Sequence, residues 1–147
     1  MKPQFQLDNQ LCFRLYTASR LLTQAYRPLL SQHGLTYPQY LVLLVLWEKD
    51  AQPVNDIAKR LRLETNTVTP LLKRMEAQGL LSRKQGLKDA RQTIVSLTEK
   101  GIGMQELLDS VPTTVGRAVL CPAVTVQNVP ELYAMLDGII EKLSDAE

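Results

Sequence analysis

Between Val54 and Leu97 the apolar residues change their spacing in a fixed order: two helical stretches, a glycine stop, and two short β-type runs around a basic loop. In the first helical stretch Asn55 is placed to cap, and Ile57, Ala58 and Leu61 share a face while Lys59, Arg60 and Arg62 lie elsewhere. After Leu63 and Glu64, the side-chain oxygens of Thr65, Asn66 and Thr67 can receive free backbone N–H groups, and Val68, Leu71, Leu72 and Met75 recur at i, i+3, i+4 and i+7. Proline deep inside a helix deletes a hydrogen bond and clashes with the preceding turn, so Pro70 is expected in the first turn, with the helix starting near Asn66 or Thr67. Gly79 is a natural left-handed stop. Leu80 to Lys84 and Thr93 to Leu97 read as strands, joined by the polar loop Gln85 to Arg91. That order predicts a winged helix-turn-helix.

Charge follows the same boundaries. Residues 54–97 hold nine Lys/Arg against four Asp/Glu, a net of +5, and the remainder holds eight against eleven, a net of −3, so the overall +2 conceals the asymmetry. A helix whose leading end offers Thr65, Asn66, Thr67 and Thr69 suits a major groove, because short polar side chains bond base edges and phosphates. Arg83, Lys84, Lys88 and Arg91 give the wing the cations that a phosphate backbone requires. Lys73 and Arg74 on the helix and Asp89 in the wing complete the candidate set for double-stranded DNA. The competing reading is a solvated helical hairpin whose charges form only a wet face. The succession of strand, basic loop and strand argues against it.

With 147 residues and 45% hydrophobic composition, the chain is expected to form one domain with a buried core. Met1 to Gln6 is polar, so no signal peptide is expected, and the longest apolar run, Leu41 to Trp47, is far too short to span a membrane. The expected setting is cytoplasmic, with Cys12 and Cys121 as reduced thiols. Asp8 is placed to cap a first helix carrying Leu11, Leu15, Leu22 and Leu29 on one face, with Cys12 in its first turn and Tyr16 one turn later. Pro28 should kink this helix and Gly34 end it; Thr36 should cap the next, with Pro38 in its first turn. The body from Tyr40 to Trp47 is almost wholly apolar and predicts a buried central helix.

Beyond the wing, Thr98 caps a helix through Glu99, Lys100, Met104, Leu107 and Leu108; Pro112 implies a kink or a break, and Cys121-Pro122 should lie at or beyond a helix end. From Asn128 onward, Leu132, Met135, Leu136, Ile139, Ile140 and Leu143 form an apolar stripe. One helix in one groove makes few base contacts, whereas two related by a two-fold axis read half-sites about one helical turn apart. The apolar terminal segments 1–35 and 98–147 are therefore expected to build a homodimer, the alternative being that they pack inside one subunit. The expected fold is mainly α with a small β-wing.

Helix, helix, helix-turn-helix, a wing with Asp89-x-Arg91, Leu97-Thr98-x-x-Gly101 and two further helices together resemble the MarR family of dimeric winged-helix regulators over essentially the whole chain. Leu11-Cys12-Phe13, Tyr26-Arg27-Pro28-Leu29-Leu30, the run Gly34 to Val42 and the run Thr67 to Glu76 resemble, more narrowly, the organic hydroperoxide resistance regulators. That resemblance implies that Cys12 is a peroxide-reactive thiol with the hydroxyls of Tyr16, Tyr26 and Tyr37 near it. It also implies a two-cysteine subtype in which Cys121 of the partner subunit resolves the oxidised thiol, shifting the reading heads and releasing DNA.

The chemistry is coherent without the family. Thiolate attacks a peroxide oxygen, so a sensor gains from the first turn of a helix and from phenolic donors, although Asp8 works mildly the other way. Attack yields a sulfenic acid and an alcohol, and a second thiol condenses with it to a disulfide. Phe5, Leu11, Phe13, Leu15 and Tyr37 make an apolar neighbourhood suited to organic hydroperoxides as oxidant. The bland alternatives are a small core cysteine and core tyrosines with wet hydroxyls. His33 beside Gly34 fits a helix end. One histidine and two distant cysteines give no zinc spacing, and neither a phosphate-cradling glycine loop nor a nucleophile elbow occurs, so no metal, no cofactor and no enzyme is expected. The expectation is a redox-switched repressor; the alternative is a regulator released by a small aromatic ligand without thiol chemistry, and a thiol peroxidase would lack a scaffold for turnover.

Overall fold

Helix α2 (Tyr37–Glu48) is the post around which residues 1–112 are built, because an almost unbroken apolar run buries half of its side chains and leaves most of the others only half-exposed. Tyr40, Val42, Leu43, Val45 and Leu46 are all buried, and α2 packs against α1 (Leu11–Ser31), α3 (Val54–Leu61), α4 (Thr65–Ala77) and α5 (Glu99–Leu107). The computed structural model describes residues 1–146, which divide into two compact units, 1–112 and 113–146.

Asp8 does not cap α1. It lies in a 3-10 turn, Leu7–Asn9, while Asn9 Nδ2 donates to the Pro3 carbonyl (2.8 Å) and Gln10 Nε2 to that of Gln4 (2.7 Å), so the helix begins after Gln10. Cys12 remains in the first turn. The helix runs on through Pro28 to Ser31 and closes with Gly34 at φ +70° and Leu35 N–H bonded to the Leu30 carbonyl at 3.1 Å. Thr36 caps α2, its N–H bonded to Gln39 Oε1 at 3.0 Å, with Pro38 in the first turn.

Helix α3 begins two residues earlier than expected: Pro53 is its cap and Asn55 lies inside the first turn. Its buried face carries Ile57 and Ala58. Arg62 makes the turn into α4 in the left-handed region, φ +55°, a conformation that costs a non-glycine residue about 1 kcal/mol. Helix α4 also begins early, with Glu64 as its cap, so the Thr65, Asn66 and Thr67 oxygens do not cap and Pro70 falls in the second turn. There it removes the N–H that would reach the Asn66 carbonyl, and Thr69 Oγ1 bonds back to the Thr65 carbonyl (2.9 Å). Packing explains why the helix survives: Val68, Leu71, Leu72 and Met75 are all buried, as their spacing predicts. Gly79, at φ +74°, ends the helix.

The wing is a three-stranded antiparallel sheet in the order β1-β3-β2, with β1 Gln52–Pro53, β2 Leu81–Gln85 and β3 Thr93–Leu97. Leu81 pairs with Leu97 and Gln85 with Thr93; Gln52, on the short β1 that no sequence period announces, pairs with Val95. Thr98 Oγ1 caps α5 by accepting from Gly101 N–H (3.1 Å), and Trp47 Nε1 donates to the Gly101 carbonyl (3.1 Å).

Helix α6 (Val111–Val119) starts at the end of the first unit, with Pro112 marking a break after α5. In the second unit Cys121 and Val124 exchange two backbone hydrogen bonds beyond the end of α6, and Asn128 bonds the Thr125 N–H (2.7 Å) before α7 (Val129–Ser144). No α7 side chain is buried; Met135 is 62% and Leu143 66% exposed.

Gly101 admits no side chain. An added Cβ would stand 2.1 Å from the Leu80 carbonyl oxygen, whereas at Gly103, in the same helix, it would meet nothing within 4 Å. Gly101→Ala is expected to lower stability by about 2–3 kcal/mol. Gly103→Ala should raise it by about 0.5–1 kcal/mol, so urea unfolding should move the two variants in opposite directions.

Candidate nucleic-acid interface and thiol site

The leading end of α4 presents Thr65, Asn66 and Thr67 to solvent, and Thr65 Oγ1 donates to Asn55 Oδ1 on α3 (3.3 Å). Lys73 and Arg74 are exposed further along, and Thr69 is half-buried. Asn55, Thr65, Thr69, Arg83, Arg91 and Thr93 line a notch of about 170 Å³ between the helix-turn-helix and the wing. Asn55, expected only as a cap, and Thr93, expected only as strand, thus belong to this polar surface.

The wing cations divide into two kinds. Arg83 is turned inward: Glu76 on α4 accepts its backbone N–H (2.9 Å), Nε (3.3 Å) and Nη2 (3.0 Å), tying β2 to the helix. Lys84 and Lys88 are exposed, and Arg91 lies 91% exposed at the tip. Asp89 aims it, accepting from the Arg91 backbone N–H (3.0 Å) and Nε (3.2 Å). The bonds from Arg91 hold the Asp89 carboxyl below the usual carboxylate range. A side chain already held in a fork loses less freedom when it meets a phosphate. Gly86 is required here, since a Cβ would lie 2.6 Å from the Asp89 carbonyl oxygen.

Cys12 is exposed on α1, and so is Tyr16 (68%), among exposed Phe5, Leu7, Leu11 and Phe13. Tyr26 and Tyr37 do come together, their ring centroids 4.7 Å apart, and Tyr40 joins them at 5.7 and 6.4 Å. Trp47 extends the group at 6.5 Å from Tyr40. Burial raises the Tyr37 hydroxyl above the usual phenol value; burial and then the neighbouring Tyr37 do the same for Tyr40, so both stay protonated donors at neutral pH. Tyr16 stands apart from the ring cluster. Cys12 and Tyr26 are fourteen residues apart on one continuous helix, a rise of about 21 Å, so they do not meet within a protomer. Cys121 is exposed in the second unit.

A recognition helix, a basic wing and a helical frame define a winged-helix transcriptional regulator. The chain belongs to the SarA/Rot family of transcriptional regulators, winged-helix proteins of MarR type, which it matches over residues 24–108. It is 47% identical over 110 residues to the organic hydroperoxide resistance transcriptional regulator of Bacillus subtilis, covering 75% of each chain. It is also 47% identical over 133 residues to the regulator TtmR of Methylorubrum extorquens, spanning 90% of this chain but only 65% of that relative's length. Among solved structures it is similar to AbfR of Staphylococcus epidermidis, reduced and bound to DNA, at 38% identity and TM-score 0.78, with 97% of this chain and 98% of that one covered. The disulfide form of AbfR matches with TM-score 0.65 at 40% identity over 93% and 94% of the two chains. Among the described residues no helix is long and apolar enough to cross a membrane.

The Arg83 bonds also hold the Glu76 carboxyl below its ordinary 4.5. A depressed carboxylate stabilises the fold above its unfolded pKa and stops doing so as pH falls through the folded value. The stability gap between wild type and Glu76→Gln should therefore be flat from neutral pH to about pH 5 and close below it. A gap in urea midpoints that persists undiminished in acid would show that Glu76 acts through packing instead.

Proposed function

We propose that the chain is a redox-switched repressor that binds double-stranded operator DNA as a homodimer and lets go when an organic hydroperoxide oxidises Cys12. Residues 54–97 read the DNA: Thr65, Asn66, Thr67 and Thr69 address the groove, Lys73, Arg74, Lys84 and Lys88 the phosphates, and Arg91 is aimed by Asp89. The terminal segments 1–35 and 98–147 supply the dimer contacts, which the exposed apolar residues of α1 and α7 support.

The observation that carries the reading is an exposed thiol in the first turn of α1, set among exposed apolar side chains, in a chain whose Tyr26 and Tyr37 are clustered 4.7 Å apart. The length of α1 keeps those tyrosines from Cys12 of their own protomer, so the phenols that stabilise its thiolate come from the partner subunit. The thiolate attacks the outer peroxide oxygen, the O–O bond breaks, and the alkoxide leaves and is protonated to an alcohol. The partner's Cys121 thiol then attacks the sulfenic sulfur, water leaves and an intersubunit disulfide forms, moving the two reading heads. Exposure of both thiols and the likeness to the hydroperoxide resistance regulator and AbfR support this sequence.

Treating the reduced protein with one equivalent of an organic hydroperoxide should give a cross-linked dimer on non-reducing electrophoresis. Cys12→Ser and Cys121→Ser should both abolish the band, and only the latter should accumulate a trappable sulfenate. Wild type that yields neither species would leave the cysteines as packing residues and favour release by a small aromatic ligand. Tyr37→Phe should slow Cys12 oxidation on the order of tenfold, the cost of one hydrogen bond to a charged group, with operator binding by the reduced form unchanged. An unchanged rate would return Tyr37 to the core.

A further inference from the structure

Gln39 and Gln52 are the buried polar side chains among the described residues. Gln52 is satisfied locally, its amide donating to the carbonyls of Val45 and Lys49. Gln39 reaches instead across the fold. It is 4% exposed in a helix otherwise given over to apolar packing, where a leucine would fill the space without desolvating an amide.

The bonds it makes run in one direction. Gln39 Oε1 accepts from the Thr36 N–H (3.0 Å), Gln39 Nε2 donates to Gln78 Oε1 (3.0 Å), and Gln78 Nε2 donates to the Gly34 carbonyl (2.8 Å). Gln78 is the C-cap of α4, and its own carbonyl accepts from Lys100 Nζ on α5 (2.8 Å). The rear of the recognition helix is thus fastened to the α1–α2 turn and to the first turn of α2. That same first turn carries Tyr37 and Tyr40, whose rings pack at a tilt against Tyr26. The two bonds made by Gln39 are part-buried and the two further ones made at Gln78 are exposed, and such directional bonds have fewer alternative geometries than a sliding apolar contact. Helix α4 is thirteen residues, about 20 Å, long, so a tilt forced at Gln78 is amplified at Thr65–Thr69.

We propose that the Gln39–Gln78 amide pair transmits the state of the tyrosine cluster to the recognition helix, making both glutamines positioning residues for DNA release. The proposal rests on the redox reading above. When Cys12 is oxidised, the tyrosines lose the thiolate they hydrogen-bond, the first turn of α2 shifts, and Gln39 carries that shift to the end of α4.

The test uses a duplex selected from a random pool by the reduced wild-type protein. Its affinity is measured before and after hydroperoxide treatment for wild type, Gln39→Met, Gln78→Met and the double variant, alongside the rate of Cys12 oxidation. The double variant should oxidise at the wild-type rate and bind in the reduced state within about threefold of wild type. Its loss of affinity on oxidation should be smaller than wild type's on the order of tenfold, and each single change should account for nearly all of that, because both cut one link. Equal weakening of reduced and oxidised binding marks a merely structural role and overturns the proposal, as does a double variant that releases DNA as fully as wild type. Wild type that keeps its affinity when oxidised overturns the redox reading and the linkage together. Should the double variant fail to fold, Gln78→Glu keeps the acceptor for Gln39 Nε2 but discards the donor to Gly34; release intermediate between wild type and none is expected, and full release overturns the link.

Discussion

Burial of α2 is the interaction on which the remaining geometry depends. Val42 and Leu43 have no exposed surface, and α2 packs on α3 and α4, whose Ile57, Val68, Leu72 and Met75 are equally enclosed. Full burial of one such side chain contributes roughly 1.5–3 kcal/mol, so this layer holds the helix-turn-helix in place even though α4 carries a proline in its second turn. The same packing fixes the first turn of α2 and, with it, Tyr37 and Tyr40. One apolar helix therefore positions both the helix-turn-helix and the tyrosine cluster.

Charge on that surface is arranged rather than merely abundant. Glu76 withdraws Arg83 from solvent to lock β2 onto α4, while Asp89 leaves Arg91 exposed but oriented. Acidic residues within a basic segment look like a loss of affinity when only net charge is considered. Here each shapes the presentation of an arginine, which matters more for a docked wing than one further unit of positive charge.

Where a residue's partner lies close in sequence, its place was legible in advance. The stripe of Val68, Leu71, Leu72 and Met75, the stop at Gly79, the caps at Thr36 and Thr98, and the wing strands all follow from local spacing and turn chemistry. The failures have a physical pattern. Asp8 lost its cap role to bonds from Asn9 and Gln10, and β1 is two residues long, too short for any period to register. Pro70 was expected in the first turn because helix propensity opposes it further in, and tertiary packing prevailed. Of the candidate site, the exposed polar residues Thr65, Asn66 and Thr67 on α4 and the exposed wing cations Lys84, Lys88 and Arg91 lie where local spacing places them, whereas the ring contact of Tyr26 with Tyr37 and the aim of Arg91 by Asp89 appear only in the fold. The inward turn of Arg83 and the Gln39–Gln78 bond, thirty-nine residues apart, depend on the assembled fold.

Cys12 poses the sharpest problem, because Tyr26 lies about 21 Å along the same helix, with Tyr37 of α2 packed against it. The proposed site, shared across a two-fold axis, would resolve this and account for the apolar side chains exposed on α1. In the proposed scheme the switch is a property of the dimer, with oxidation at the interface read out as a change in the spacing of two recognition helices. The most direct measurement is duplex binding by one preparation of the protein: reduced, after one equivalent of an organic hydroperoxide, and again after a dithiol reductant. The account predicts tight binding, loss of binding and its recovery; binding that is the same in all three states would contradict it.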